Sequence, residues 1–340
     1  MKRRRTTATA GLPLRIVEKP TPEGRLMTPR TPSDLQRFGY LGPRGTFTQM
    51  ALDAWDGASH KEQVPFGSVD AALEALRARE IDAAMVPIEN SVEGGVSATL
   101  DALATGEPLV VIGEVLVPVT FVLCARSGMP LSQVRRVGTH SHAWAQVRRW
   151  MATNLPDAVY VPTLSTAASA AALREPGDVA FDAGVCAPAA AANEGLEILA
   201  EDIGDNPSAV TRFVLVSRPG TLPEPSGADK TTVVLFQRED HAGGLLELLE
   251  QFAVRGVNMT RLESRPTGEA MGSYCFSIDF EGHVQDARVG ETLMGLRRVC
   301  ADVRFLGSYP RADGVPADAR LGTADSDFDA ARIWLEQLRS

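Results

Sequence analysis

SVDAALEALRAREIDAAMVPIENSVEGGV, residues 68–96, decides the architecture. Val69, Ala72, Leu73 and Leu76 recur at i, i+3, i+4 and i+7 behind Ser68, a good N-cap, so the spacing predicts an amphipathic helix. IDAAMVPI (81–88) is a short apolar run of strand character, and PIENSVEGGV (87–96) leads into a second helix over 94–104. The same alternation extends outward. FGYL (38–41), VRRVGT (134–139), VYVPTL (159–164) and VAFD (179–182) read as strands, with helices over 47–55, 143–153 and 166–174. Strands alternating with helices predict an α/β fold with a largely parallel sheet. The most apolar stretch, 109–125, is broken by Gly113, Glu114 and Pro118, which suits two buried strands joined by a hinge better than a membrane helix.

At 340 residues the chain is long enough for two or more folded units. Pro, Gly and Ser cluster in SRPGTLPEPSGAD (217–229), where no apolar periodicity survives, so a linker is expected over 219–229. Beyond it TTVVLFQ (231–237), GGLLELLEQFAVRG (243–256), VNMTRLESRP (257–266), SYCFSIDF (273–280), DARVGETLMGLRRVC (286–300) and VRFLGSYP (303–310) read as βαββαβ, a ferredoxin-like order over 230–310. Leu245, Leu248, Leu249 and Phe252 form the expected core stripe of its first helix, and Tyr274, Phe276, Ile278 and Phe280 alternate along its third strand. Residues 311–340 form an extension whose Phe328, Ile333, Trp334 and Leu338 are placed to dock on the body. Residues 1–36, basic at the start and then rich in Thr, Pro and Gly, read as a disordered tail without the apolar segment of a signal peptide. A cytoplasmic protein with no membrane partner is expected.

The net charge of −9 gives no basic field for nucleic acid, so an anionic ligand must be held locally. Cys124, Cys186, Cys275 and Cys300 contain no C-x-x-C pair, which argues against a metal knuckle or redox motif. His140 and His142 lack a third nearby ligand type, and no metal is expected.

Three loops gather Gly, hydroxyl and amide residues at strand ends, where α/β sheets hold ligands: GPRGTFT (42–48), PIENSVEGGV (87–96) and DNPSAVTRFVLV (205–216). Backbone N–H groups at helix starts suit carboxylates. Taken singly, GPRGT is a turn, ENS a helix cap and TRF an ordinary strand start; their combination is far more specific.

In that order, with STAASAA (165–171) before TRFVLV, these segments resemble the signatures of the prephenate dehydratase family, and NMTRLESRP (258–266) with YCFSIDFEGH (274–283) looks like the ESRP-bearing ACT domain fused to such enzymes. The likeness covers about 38–310. It implies a catalytic unit over 37–218, bilobal like a type II periplasmic binding protein, with its second lobe over about 119–199. The implied reaction is decarboxylative dehydration of prephenate to phenylpyruvate, with no cofactor. Thr211 matches the family's threonine acting at the leaving hydroxyl, and Arg212 and Phe213 complete that motif. Thr211 is too weak an acid to release a proton freely, so its expected role is hydrogen-bond donation, with Glu89 as the proton reservoir if protonated. Asn90, Ser91, Ser165 and Thr166 are expected at the two carboxylates, with Thr46, Thr139 and Gln146 lining the cleft. Arg212 either pairs with a substrate carboxylate or braces the lobes. Where the family has Ser-His-Pro-Gln, this chain reads THSHAWAQ (139–146), and DHAGGLLELL (240–249) replaces the commoner D-x-P-G-A-L.

The resemblance also implies a homo-oligomer in which L-phenylalanine, as effector, lies between paired ACT domains against Gly243, Gly244, Leu245, Asn258, Glu263, Ser264, Arg265 and Pro266. Two other readings stay open. One is an arogenate dehydratase or prephenate decarboxylase, although a decarboxylase need not assist a leaving hydroxyl. The other is a non-catalytic sensor, against which facing ENS and TRF loops argue.

Overall fold

The computed structural model describes residues 35–220, 222–268, 273–318 and 321–340; the tail expected over 1–36 falls, up to residue 34, outside them. The chain first lays down β1 (Arg37–Leu41), α1 (Phe47–Asp53), β2 (Glu62–Phe66), α2 (Val69–Arg77), β3 (Ala83–Asn90), β4 (Gly94–Gly95), α3 (Ser97–Ala104) and β5 (Val110–Pro118). It then crosses to a second sheet with β6 (Val122–Ala125), β7 (Arg136–Thr139), α4 (Ser141–Gln146), α5 (Arg148–Asn154), β8 (Val159–Pro162), α6 (Thr166–Arg174), β9 (Ala183–Cys186), α7 (Pro188–Asn193) and β10 (Glu197–Ala200). β11 (Val210–Ser217) returns to the first sheet, whose order is β2-β1-β3-β11-β5 with β4 beside β3; the second runs β10-β6-β9-β7-β8.

The expected parallel sheet is mixed. β1, β2 and β3 are parallel, but β11 runs antiparallel to both β3 and β5. It arrives from the other sheet rather than through a crossover helix, so right-handed βαβ geometry does not constrain it. VAFD (179–182) is not a strand: the Asp182 carboxylate accepts the Arg135 and Arg136 N–H groups at 3.0 and 2.8 Å, and pairing begins at Ala183. The helix expected over 94–104 starts only at Ser97, because Gly94 and Gly95 pair with Asn90 and Glu89. That over 143–153 divides at Val147, where Asp205 caps the N–H groups of Arg149 (2.9 Å) and Trp150 (3.1 Å).

The C-terminal unit follows as β12 (Asp229–Phe236), α8 (Gly244–Ala253), β13 (Met259–Pro266), β14 (Tyr274–Glu281), α9 (Ala287–Val299) and β15 (Asp302–Pro310), in an antiparallel sheet ordered β13-β14-β12-β15. One face buries Val233, Leu235, Leu248, Phe252, Ile278, Phe280, Val289 and Leu296. Leu245 is exposed and Leu249 half-buried, so the helix stripe is narrower than its periodicity predicts, and Tyr274 stands outside the core. The start of α10 (Asp325–Arg339) meets α9, where Asp325 accepts the Arg288 N–H at 3.1 Å and Phe328 is half-buried, but Ile333, Trp334 and Leu338 stay exposed, so the expected docking is only partial.

The opposite face of the third sheet shares a core with the first: Val234, Cys275, Leu306 and Tyr309 cluster with Val111, Val214 and Val216. Gly307 closes against this seam, where a Cβ would come within 2.2 Å of the Val111 carbonyl oxygen. A buried ion cluster lies across it. Arg212 pairs through Nε with Glu89 (3.1 Å), through Nη1 with Glu114 (3.0 Å) and through Nη2 with Asp279. Arg261 also clasps Asp279, with both contacts at 2.9 Å, and Lys230 reaches Glu114 at 2.8 Å. Burial would raise the Asp279 carboxyl, yet Arg261 and Arg212 hold it well below the usual carboxylate range.

Removing one partner from such a cluster leaves uncompensated buried charge, so Asp279→Ala should destabilise the fold by about 3–5 kcal/mol in urea unfolding. The folded carboxyl is lowered, so its contribution is fully present above the unfolded value of about 3.9 and is withdrawn as pH falls through the folded value. The deficit of the variant should therefore persist through neutral pH and narrow only in acid.

Candidate active site

Thr211 lies at the start of β11, between Asn90 of β3 and Val117 of β5. Asn90 Nδ2 donates to Thr211 Oγ1 at 2.8 Å, while Asn90 Oδ1 accepts the Val92 and Glu93 N–H groups at 2.8 and 3.2 Å. Those two donors fix the orientation of the amide, so its NH₂ must face the threonine. Thr211 Oγ1 is thus an acceptor in this pair, which leaves its own proton available to another oxygen. Ser91 completes the junction: its N–H donates to the Val210 carbonyl and its Oγ accepts the Val210 N–H, both at 2.9 Å.

The next residue points elsewhere. Arg212 is buried in the seam with a carboxylate on each of its three nitrogens, so it is not presented as a substrate anchor. Of the two roles that the sequence left open, the geometry favours bracing, though between the first and third sheets rather than between the lobes. Glu89, partly exposed, accepts from Arg212 Nε at 3.1 Å, so the residue expected as proton reservoir is tied to the seam. Phe213 is core, packed with Phe38, Tyr40, Leu52 and Met85.

Several expected cleft hydroxyls serve the scaffold. Thr46 Oγ1 donates to the Leu41 carbonyl at 3.0 Å and caps α1 by accepting from the Gln49 N–H at 3.4 Å. Thr139 is wholly buried and donates to the Val185 carbonyl at 2.8 Å, so it lines no cleft. Ser165 Oγ caps α6 through the Ala168 N–H at 3.0 Å, and Thr166 opens that helix half-buried. Gln146 is half-buried at the end of α4, and its backbone carbonyl accepts the Asp205 N–H at 2.7 Å.

The two lobes meet through groups that sequence reasoning did not select. Glu93, on the turn after Asn90, pairs with His142 Nδ1 of α4 at 2.5 Å, and the His142 ring lies edge-on to His140 at 4.9 Å. Burial, reinforced by His142, lowers the His140 pKa, while Glu93 opposes the shift. Gly45, at φ +79°, abuts α7 closely enough that a Cβ would lie 3.0 Å from Ala190 Cα. The replacement of Pro-Gln by Ser141-His142 was the one available signal for the first of these contacts.

The expected effector residues divide. Gly243, at φ +90°, and Gly244 open α8, and Gly244 lines a cavity of about 300 Å³ with Gln237, His241 and Glu247. Asn258 lines another of about 530 Å³, with Met259 and Glu281. Ser264 and Pro266 are exposed on β13, whereas Glu263 and Arg265 face the first unit: Glu263 accepts from the Gly95 N–H at 3.1 Å, and Arg265 grips Asp101 of α3 at 2.8 and 2.7 Å.

Residues 38–221 match the family model described as prephenate dehydratase. A prephenate dehydratase from Amycolatopsis methanolica is 47% identical over 302 residues, covering 88% of this chain and 97% of the relative. Among solved structures, a prephenate dehydratase from Arthrobacter aurescens in complex with L-Phe is 57% identical, with a TM-score of 0.85 over 89% of this chain and 99% of that one. GqqA, described as a novel type of quorum quenching acylase, is 30% identical, with a TM-score of 0.72 over 81% and 98%.

Because the Thr139 hydroxyl is turned inward, Thr139→Val should cost about 0.5–1.5 kcal/mol of stability by removing one of the two hydroxyls, the other being Ser169 at 3.3 Å, that donate to the Val185 carbonyl. Thermal unfolding checks this, and ligand affinity at the cleft should remain unchanged.

Proposed function

The chain belongs to the prephenate dehydratase family, and from that premise we propose that the Asn90–Thr211 pair is the centre of its decarboxylative dehydration of prephenate to phenylpyruvate. The reaction breaks the bond to the ring carboxylate, releases carbon dioxide and sends that electron pair into the ring. The ring C–O bond breaks, and hydroxide takes up a proton to leave as water. Aromatisation supplies the driving force. The protein must orient the dianion and stabilise negative charge developing on the leaving oxygen.

The observation that carries this reading is the direction of the Asn90–Thr211 hydrogen bond. An Asn90 amide that donates to Thr211 Oγ1 leaves the threonine proton to point at a leaving hydroxyl. A decarboxylase would need no such donor. An acylase would need a base to accept the threonine proton, and an amide NH₂ cannot accept one. The free N–H groups at the start of α6, with Ser165 and Thr166, and the Ser91 junction are the proposed carboxylate holders, with Gln146 beside them. The reaction draws on no cofactor in this scheme.

The catalytic unit is proposed to span 37–218, with the second lobe extended from the expected 119–199 to the return of the chain at β11. Residues 230–310 are proposed to be an ACT domain, joined by a linker that ends before Asp229, the first residue of β12, and followed by the extension 311–340. We assign L-phenylalanine as its effector, held between the ACT domains of two copies. The complex formed by the Arthrobacter aurescens relative supports this ligand. The positive-φ Gly243 start of α8, the exposed Leu245 beside it, and separate cavities at Gly244 and Asn258 support a site completed by a second copy. No helix of the described residues is long and apolar enough to cross a membrane; a cytoplasmic location is part of the same reading.

Thr211→Ala should retain the fold and lower turnover about 100- to 1,000-fold in an assay following phenylpyruvate by its absorbance in alkali. Near-normal turnover would remove Thr211 from the reaction. Asn258→Ala should abolish the heat of phenylalanine binding in calorimetry; undiminished binding would move the effector site.

A further inference from the structure

We propose that Glu263, on β13 of the C-terminal unit, is a positioning residue for the catalytic pair: it holds the Gly94–Gly95 strand that frames Asn90, and so sets the aim of the Thr211 hydroxyl. This rests on the reading of Asn90 and Thr211 given above. Glu263 Oε1 accepts the Gly95 N–H at 3.1 Å across the boundary between the two units. Gly95 pairs with Glu89, and Gly94 with Asn90, the residue whose amide donates to Thr211. The carboxylate is therefore linked to the reacting hydroxyl through three contacts, Glu263–Gly95, Gly94–Asn90 and Asn90–Thr211.

The glycines themselves point to the same device. A Cβ at Gly95 would lie 2.8 Å from Glu263 Oε1, 2.9 Å from its Cδ and 3.0 Å from Leu100 Cδ1, so the approach of Glu263 requires a bare Cα there. Gly94 takes φ +82°, a conformation that L side chains rarely adopt. The second glycine of PIENSVEGGV is thus explained by the carboxylate that lies over it, and the first by its backbone conformation. Two residues on, Arg265 projects from the same face of β13 and pairs with Asp101 of α3 through Nε and Nη2. β13 therefore grips the segment 94–104 at both ends. The alternative, that Glu263 is a solvated strand charge or an effector contact, does not account for its bond to a catalytic-unit amide.

The test compares Glu263→Ala, Glu263→Gln, Gly95→Ala and the double variant Glu263→Ala/Gly95→Ala, all in the full chain without phenylalanine. Readouts are kcat and KM for prephenate and hydrogen exchange of the Gly95 amide. Glu263→Ala should lower kcat about tenfold with little change in KM and speed exchange at Gly95, as expected for a displaced rather than a missing reacting group. Glu263→Gln, which keeps an acceptor oxygen, should restore both within about twofold. Gly95→Ala should be impaired alone, but the double variant should be no worse than Glu263→Ala, because the removed carboxylate makes room for the methyl group; such non-additivity marks direct contact. Wild-type kcat and exchange in Glu263→Ala, a glutamine variant as defective as the alanine one, or strictly additive losses would each overturn the proposal. If the wild-type protein formed no phenylpyruvate, the functional reading would fail on its own, while the exchange rates would still decide whether Glu263 holds Gly95.

Discussion

The charge of Asp279 has no water to face, and much of the molecule is arranged around that constraint. A carboxylate at 0% exposure is tolerated only with charged partners, and it takes Arg261 from its own sheet and Arg212 from the first. Arg212 in turn gathers Glu89 and Glu114, and Glu114 gathers Lys230. Thr232 adds a hydroxyl to Asp279 at 2.9 Å and meets Tyr309 at 2.8 Å. The cluster sits beside a shared apolar core, so the first and third sheets form one packed body and not two units on a tether.

This places the C-terminal unit and the strand that carries Thr211 in mechanical contact. Along β11, Thr211 meets the Asn90 amide while its neighbour Arg212 is locked into the seam. β3 repeats the division, with Asn90 serving Thr211 and Glu89 serving Arg212. Any movement of the third sheet relative to the first must act on residues adjacent in sequence to Asn90 and Thr211. Coupling between two ligands requires such an element whose position both can bias. The ESRP segment contributes in the same way, since Glu263 and Arg265 reach the catalytic unit while Ser264 and Pro266 stay exposed.

A second boundary lies between the lobes. Only β5 to β6 and β10 to β11 connect them covalently, and the Glu93–His142 pair joins them non-covalently beside the Asn90 turn. His142 stands in the stretch THSHAWAQ, which takes the place of the family's Ser-His-Pro-Gln element.

What the sequence determined was local. Ser68 ahead of Val69, Ala72, Leu73 and Leu76 specified α2, and the apolar run 83–88 specified most of β3, because periodicity and capping depend on neighbours a turn away. The order of ENS, TRF and ESRP carried the chemistry, since those residue types have few other reasons to recur together. Which way Arg212, Glu89, Glu263 and Thr139 point was decided only by tertiary structure. β11 is buried on both faces, so alternation along it could not say which face met the cleft and which the seam. The Glu263–Gly95 contact spans 168 positions, and no local pattern encodes the partner of a charge that distant. Thr139 read as a cleft hydroxyl because the sequence shows a hydroxyl but not the Val185 carbonyl that claims it. A side chain's identity is written in the chain, but its direction is set by whichever partner satisfies its polar atoms once water is gone.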